Sequence, residues 1–176
     1  MQDERLLNAI IEITSDLTQV FKAGGKALFC GNGGSASDAQ HLAAEFSGRF
    51  YMEREPLFAE ALHVNTSFLT AVSNDYGYAE AYARMVRAAG REGDMLFALS
   101  TSGNSPNIIR AIDDARKIGM KIVGMTGQTG GNMLDKCDYL LNVPSTNTPR
   151  IQEAHILLGH TICEIVEHEV FGTEGT

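Results

Sequence analysis

Residues 26–48 begin with Lys26-Ala-Leu-Phe-Cys30, pass through Gly31-Asn-Gly-Gly-Ser35, and run on past Asp38, His41 and Glu45 to Gly48. The opening five residues are a short apolar run of strand length, and the next five form a glycine-rich loop. From about Ser37 the spacing of Ala39, Leu42, Ala43 and Phe46 predicts a helix with one apolar face.

The same unit of strand, loop and helix returns downstream. Met95–Leu99 leads into Ser100-Thr-Ser-Gly-Asn-Ser105 and a helix over Pro106–Ile118, with proline in the first turn. Lys121–Met125 leads into Thr126-Gly-Gln-Thr-Gly-Gly131 and a brief helix. Tyr139–Val143 leads into Pro144–Pro149 and a last helix from Arg150 to about Glu169. The segment Phe58–Val64 supplies one more strand. Ahead of them all, Leu6, Leu7, Ile10, Ile11, Leu17, Val20 and Phe21 form one stripe on a helix over Glu4–Lys22, which Gly24-Gly25 ends. Strands that are apolar throughout and alternate with helices belong to a parallel sheet covered on both faces. The fold class expected is α/β, a three-layer α/β/α sandwich around a five-stranded parallel sheet, formed as one domain over residues 1–176.

Composition narrows the function. The chain has 176 residues, 44% hydrophobic and 20% charged, as in an ordinary globular domain. A net charge of −8 leaves no basic face for nucleic acid. It does not exclude phosphorylated ligands, which a pocket can hold through backbone N–H groups and hydroxyls. Cys30, Cys137 and Cys163 cannot all pair within one chain, and their apolar surroundings suit reduced, buried thiols in a reducing, cytoplasmic setting. No signal peptide and no membrane span are expected, since no run of eighteen apolar residues occurs.

In an open parallel sheet, ligands bind beyond the carboxyl ends of the strands, where the strand order switches. The loops Gly31–Ser35 and Ser100–Ser105 both lie at such ends. Hydroxyls on Ser100, Thr101, Ser102 and Ser105, joined to the N–H groups of a helix start, make a phosphate cradle without a lysine. Turn and cap chemistry explains either loop alone; two in one sheet favour a phosphate. Gly31-Asn-Gly33-Gly-Ser-Ala36 also fits the dinucleotide fingerprint G-x-G-x-x-A. The acidic partner that fingerprint needs would be Glu53 or Glu55, which fall in a charged, loop-like stretch. His41 and Glu45, four apart, share a helix face just past the first loop. On the last helix His160 sits among Leu157, Leu158 and Ile162, where a core histidine and an acid–base group are equally open readings. His155 and His168 read as structural, and Glu164 and Glu167 as a solvated face.

Four motifs, in order and spacing, carry a resemblance: Cys30–Phe50, Ser73-Asn-Asp-Tyr-Gly77, Ser100–Ser105 and Arg150-Ile-Gln-Glu-Ala-His155. Over essentially its whole length the chain resembles the sedoheptulose 7-phosphate isomerases of the sugar isomerase (SIS) class. The Ser-Thr-Ser-Gly-Asn-Ser run alone would indicate only a SIS domain. The resemblance implies a flavodoxin-like sandwich assembled as a homotetramer, with the helix at about residues 4–22 in the oligomer contacts. It implies conversion of sedoheptulose 7-phosphate to D-glycero-D-manno-heptose 7-phosphate, toward ADP-heptose and lipopolysaccharide. Asn32, Gly33, Gly34, Ser35, Glu45, Asn74, Asp75 and Gln152 would contact this substrate, and Ser100, Thr101, Ser102 and Ser105 would hold its phosphate. One zinc per subunit would be bound by His41, Glu45, Gln152 and His160, with Glu45 and His160 also the catalytic pair.

Gln152 and His160 are eight residues apart, about 12 Å along one helix. The ligands are therefore expected from more than one chain, and a metal held comfortably within one protomer would contradict this. A non-catalytic SIS module, similar to proteins that associate with the replication initiator, is one alternative; a sensor or isomerase for another sugar phosphate is a second.

Overall fold

The structure, a computed structural model, describes residues 4–172. Helix α1 (Glu4–Lys22) precedes β1 (Ala27–Cys30), α2 (Gly34–Ser47) and β2 (Ala59–Ala61). Then come α3 (Thr66–Tyr76), α4 (Ala81–Ala89), β3 (Met95–Ser100), α5 (Pro106–Ile118), β4 (Lys121–Thr126), β5 (Tyr139–Asn142) and α6 (Thr148–Phe171). The five strands are all parallel, in the order β2-β1-β3-β4-β5, so the three-layer expectation holds. Two helices, α3 and α4, have no counterpart in the sequence reading. Only Val72 of α3 is buried, so its apolar stripe is too thin to announce a helix. Helix α2 starts at Gly34, because the end of the glycine loop is already its first turn.

Alternation along each strand divides the core in two. Phe29, Phe97, Val123 and Leu141 face α1, α2 and α6. Leu28, Leu96 and Ile122 face α4 and α5. Register Phe29↔Phe97 stacks those rings at 4.7 Å between centroids. Burying strands on both faces is what makes them read as continuous apolar runs.

The order of the strands fixes where a ligand can enter. The chain leaves β1 for α2 on one face and leaves β3 for α5 on the other. A crevice opens between those diverging helices, at the switch point of the sheet. The glycine and serine loops form its two lips.

Candidate active site

Each glycine of the first loop has its own reason. Gly33 has φ +55°, a conformation strained for residues with a Cβ. At Gly31 a Cβ would strike the backbone of Ser35 and Ala36, so the loop could not turn so tightly into α2. At Gly34 a Cβ would lie 2.5 Å from Nε2 of Gln152, placing the Gln152 amide against the first turn of α2. Ser35 is buried beneath the loop. The Asn32 amide pairs reciprocally with that of Asn107, at 2.9 and 2.8 Å, and receives the Tyr78 hydroxyl at 2.8 Å. Asn74 and Asp75 end α3, bonded to one another at 2.9 Å and exposed, just before the turn to Tyr78.

In the second loop, Ser100 Oγ and Ser105 Oγ lie 3.1 Å apart. Ser105 takes the N-cap position of α5, yet its hydroxyl makes no capping bond and so is not committed to the helix. Gly103, at φ +67°, lets this loop lie directly on Gly130. Thr101 and Ser102 face a cavity of about 270 Å³ that Gln128, Ser145 and Thr148 also line. It is lined by hydroxyls, amides and Ile151, with no charged side chain. Gln128 and Ser145 lie in loops and Thr148 opens α6, positions that the sequence alone gives no reason to single out.

Helices α2 and α6 run side by side in the same direction, as Gln152 on Gly34 and Gly159 on Leu42 show. This brings His41, Glu45 and His160 together, one ligand atom from each within 4.8 Å of the others. His41 Nε2 stands 3.0 Å from His160 Nε2 and 3.1 Å from Glu45 Oε1. The Phe50 ring rests beside His160 at 5.5 Å. The His41 side chain is 51% exposed, so the cluster opens to solvent.

Two imidazole nitrogens and a carboxylate aimed at one point suit a borderline divalent cation. Ligands about 2.0–2.2 Å from a tetrahedral ion sit roughly 3.3–3.6 Å from one another. The Gln152 amide lies at Gly34, seven residues before His41 and so about 10 Å along α2 from it. One chain thus assembles two histidines and one glutamate, and Gln152 lies against the start of α2 at the glycine loop.

Below this cluster the same helices are tied by residues the sequence reading took for surface. Glu167 is 1% exposed and accepts the backbone N–H groups of Phe50, Tyr51 and Met52 at 2.7–2.9 Å. Arg54 Nε meets it at 2.7 Å, and the same guanidinium donates to the carbonyls of Glu45, Phe46, Gly48 and Glu55. Burial alone would raise the Glu167 pKa; the three N–H donors and Arg54 outweigh it and hold the carboxyl at about 2. The solvated face assigned to Glu167 is corrected accordingly. Only a partner 113 residues away makes its burial affordable.

His155 is fully buried, with Nε2 3.2 Å from the Thr126 carbonyl, in line with a structural role. Glu53 and Glu55 are both exposed in the loop between α2 and β2, ahead of the strand and not at its carboxyl end, so neither stands where a dinucleotide fingerprint needs its acidic partner. Among the described residues no helix is long and apolar enough to cross a membrane. Cys30 and Cys163 are buried, Cys137 is partly so, and all three are unpaired.

A SIS domain family model matches residues 3–127. The phosphoheptose isomerase of Rhodospirillum rubrum is 55% identical over 90% of this chain and 85% of its own. The solved structure of phosphoheptose isomerase GmhA from Neisseria gonorrhoeae superposes with a TM-score of 0.85 at 45% identity, covering 93% of this chain and 88% of that one. A phosphoheptose isomerase from Francisella tularensis does so at 0.87 and 40%, covering 92% and 86%. By sequence motif, strand order and the residues gathered between α2 and α6, the chain belongs to the SIS domain family and, within it, to the phosphoheptose isomerases.

Proposed function

We propose that this chain is an aldose–ketose isomerase that converts sedoheptulose 7-phosphate to D-glycero-D-manno-heptose 7-phosphate through an enediol, at the start of ADP-heptose synthesis. One observation carries the reading. Glu45 and His160, 115 residues apart in sequence, are brought within a few ångströms of each other between α2 and α6, and Ile151 on the same α6 lines the hydroxyl-rich cavity of the serine loop.

The residue types fit the chemistry. With the phosphate held by Ser100, Thr101, Ser102 and Ser105 and by the first N–H groups of α5, the sugar chain extends past Asn32 and Gln152. Glu45 removes a proton from C1 while His160 donates one to O2, giving the enediol. His160 then takes the O1 proton, and Glu45 returns a proton to C2. Asn32, Asn74, Asp75 and Gln152 orient the hydroxyls between the two ends. The span of about 12 Å from Gln152 to His160 suits a long open-chain sugar.

His41, Glu45 and His160 are also the donors for one zinc per subunit, with Gln152 or a donor from another copy as the fourth. Zinc held there supplies Lewis-acid polarisation of the sugar oxygens. Leu7 and Ile11 of α1 and Leu157 of α6 are exposed, which supports a homotetramer built on these helices. A cytoplasmic enzyme of sugar-phosphate metabolism is the setting that fits this activity.

The test is incubation with sedoheptulose 7-phosphate, followed by NMR with and without a chelator. Loss of the ketose signals and growth of an aldose anomeric signal are expected in the untreated protein. No conversion in either condition would leave a non-catalytic sugar-phosphate binder.

A further inference from the structure

We infer that Asn107 and Tyr78 are positioning residues that lock the Asn32 side chain as a hydrogen-bond donor, so that it recognises an oxygen of the ligand and cannot accept from it. The inference rests on the reading that Asn32 faces the substrate.

The polarity of the network follows from one backbone group. A peptide N–H only donates, and that of Ile108, shared with the Ser105 carbonyl, reaches Asn107 Oδ1 at 3.0 Å. The oxygen of the Asn107 amide is thereby assigned, and its nitrogen must face Asn32. Asn107 Nδ2 donates to Asn32 Oδ1 at 2.8 Å, and Asn32 Nδ2 returns a bond to Asn107 Oδ1 at 2.9 Å. The Tyr78 hydroxyl then has only an acceptor in front of it and donates to the same Asn32 Oδ1.

The neighbouring hydroxyl confirms the direction. Tyr82 Oη is 2.5 Å from the Gly31 carbonyl, which can only accept, so the Tyr82 proton is spent there. The Tyr78 proton is spent on Asn32, and the 3.3 Å approach of the two hydroxyls carries no proton of its own. Asn32 Oδ1 therefore has both its acceptor sites filled. What remains is a single N–H on Nδ2.

Burial makes this arrangement stiff. Asn107 is 3% exposed and Tyr82 1% exposed, and a buried amide that turned over would set oxygen against oxygen and leave two donors unsatisfied. Asn107 is also two residues beyond Ser105, so the network joins the serine loop to the glycine loop. A ligand held by its phosphate on the first finds the Asn32 donor already aimed on the second. Hydroxyl, carbonyl and enediol oxygens satisfy that donor; a ligand presenting only an N–H there is rejected.

Two variants test it. Tyr78→Phe removes one hydroxyl from a half-exposed ring, and Asn107→Asp keeps the acceptor for Ile108 while replacing the donor with a second oxygen. In the free wild-type protein, NMR should show the two side-chain protons of Asn32 exchanging at different rates, the one bonded to Asn107 being slower. With sedoheptulose 7-phosphate, KM should rise about fivefold in Tyr78→Phe and tenfold or more in Asn107→Asp, with kcat within about twofold, as expected for one uncharged bond and then for the whole lock. Wild-type KM in both variants, or equal exchange of the two protons in the wild type, would overturn the inference. Should the wild type prove inactive, the functional reading fails, and the exchange measurement still decides on the lock by itself.

Discussion

Along α6, two charged clusters stand about two turns apart, at His160 and at Glu167, and the two are built on opposite principles. At the lower one, Glu167 and Arg54 are each 2% exposed at the side chain, and the carboxylate takes three backbone N–H groups as well as the guanidinium. At the upper one, Glu45 and two histidines converge, with His41 half in solvent. The lower cluster has a partner for every lone pair; the upper one aims its lone pairs at a shared point. Saturation marks structure, and convergence marks chemistry. The two are also joined, because Arg54 holds the Glu45 carbonyl and the loop gripped by Glu167 lays Phe50 beside His160.

If the contrast is right, substitutions should separate cleanly. Glu45→Gln or His160→Ala should cut kcat by about a thousandfold or more while thermal unfolding barely moves. Wild-type turnover in either would remove that residue from the mechanism. Glu167→Ala should do the reverse first, costing about 3–5 kcal/mol in denaturant unfolding because the Arg54 charge is left buried and unpaired. A loss under 1 kcal/mol would mean that the cluster is not the clamp described.

Acid should find the same division. The folded-state pKa of Glu167 lies below its unfolded value of 4.5, so its contribution is complete above that pH. It is lost as pH falls from about 4.5 toward 2, and the Glu167→Gln variant should show a flatter stability curve across that window. His155 works in the other sense of charge. Burial lowers its pKa beneath 6.5, against the smaller pull of the Thr126 carbonyl. Its stabilisation is therefore whole above pH 6.5 and declines as the unfolded chain takes up a proton below it. His155→Gln should weaken that decline, measured by urea unfolding at pH 7.5 and 5.5.

The smallest change in stability with a visible effect on activity is expected at Gly34→Ala. The new Cβ meets only the end of the Gln152 side chain, which can swing away, and alanine suits a helix better than glycine. Unfolding should be unchanged or up to about 1 kcal/mol more favourable to the fold. Turnover should fall, because Gln152 is displaced.

The same contrast explains what could be read in the chain beforehand. Strands β1, β3 and β4 announce themselves because both faces are buried, and the loops after β1 and β3 because glycine and hydroxyl residues have few other uses there. His41 and Glu45 were legible as a pair through their spacing of four. Glu167 was not, since an acid in an apolar helix looks solvated until Arg54 arrives from another part of the chain. Asn107 was hidden for the same reason, as a first-turn helix residue whose partner is 75 positions away. Helix α3 escaped because so little of it is buried. Local pattern thus carried the scaffold and the motif residues, whereas tertiary pairing alone revealed the groups that hold them.

The most direct trial of the account follows hydrogen exchange in heavy water with sedoheptulose 7-phosphate as substrate. Wild-type protein should place deuterium at C1 of the remaining ketose and at C2 of the aldose, and Glu45→Gln should place it at neither. Deuterium appearing at C1 in Glu45→Gln at the wild-type rate would show that another group takes the carbon proton, and the role given to the α2 carboxylate would fall.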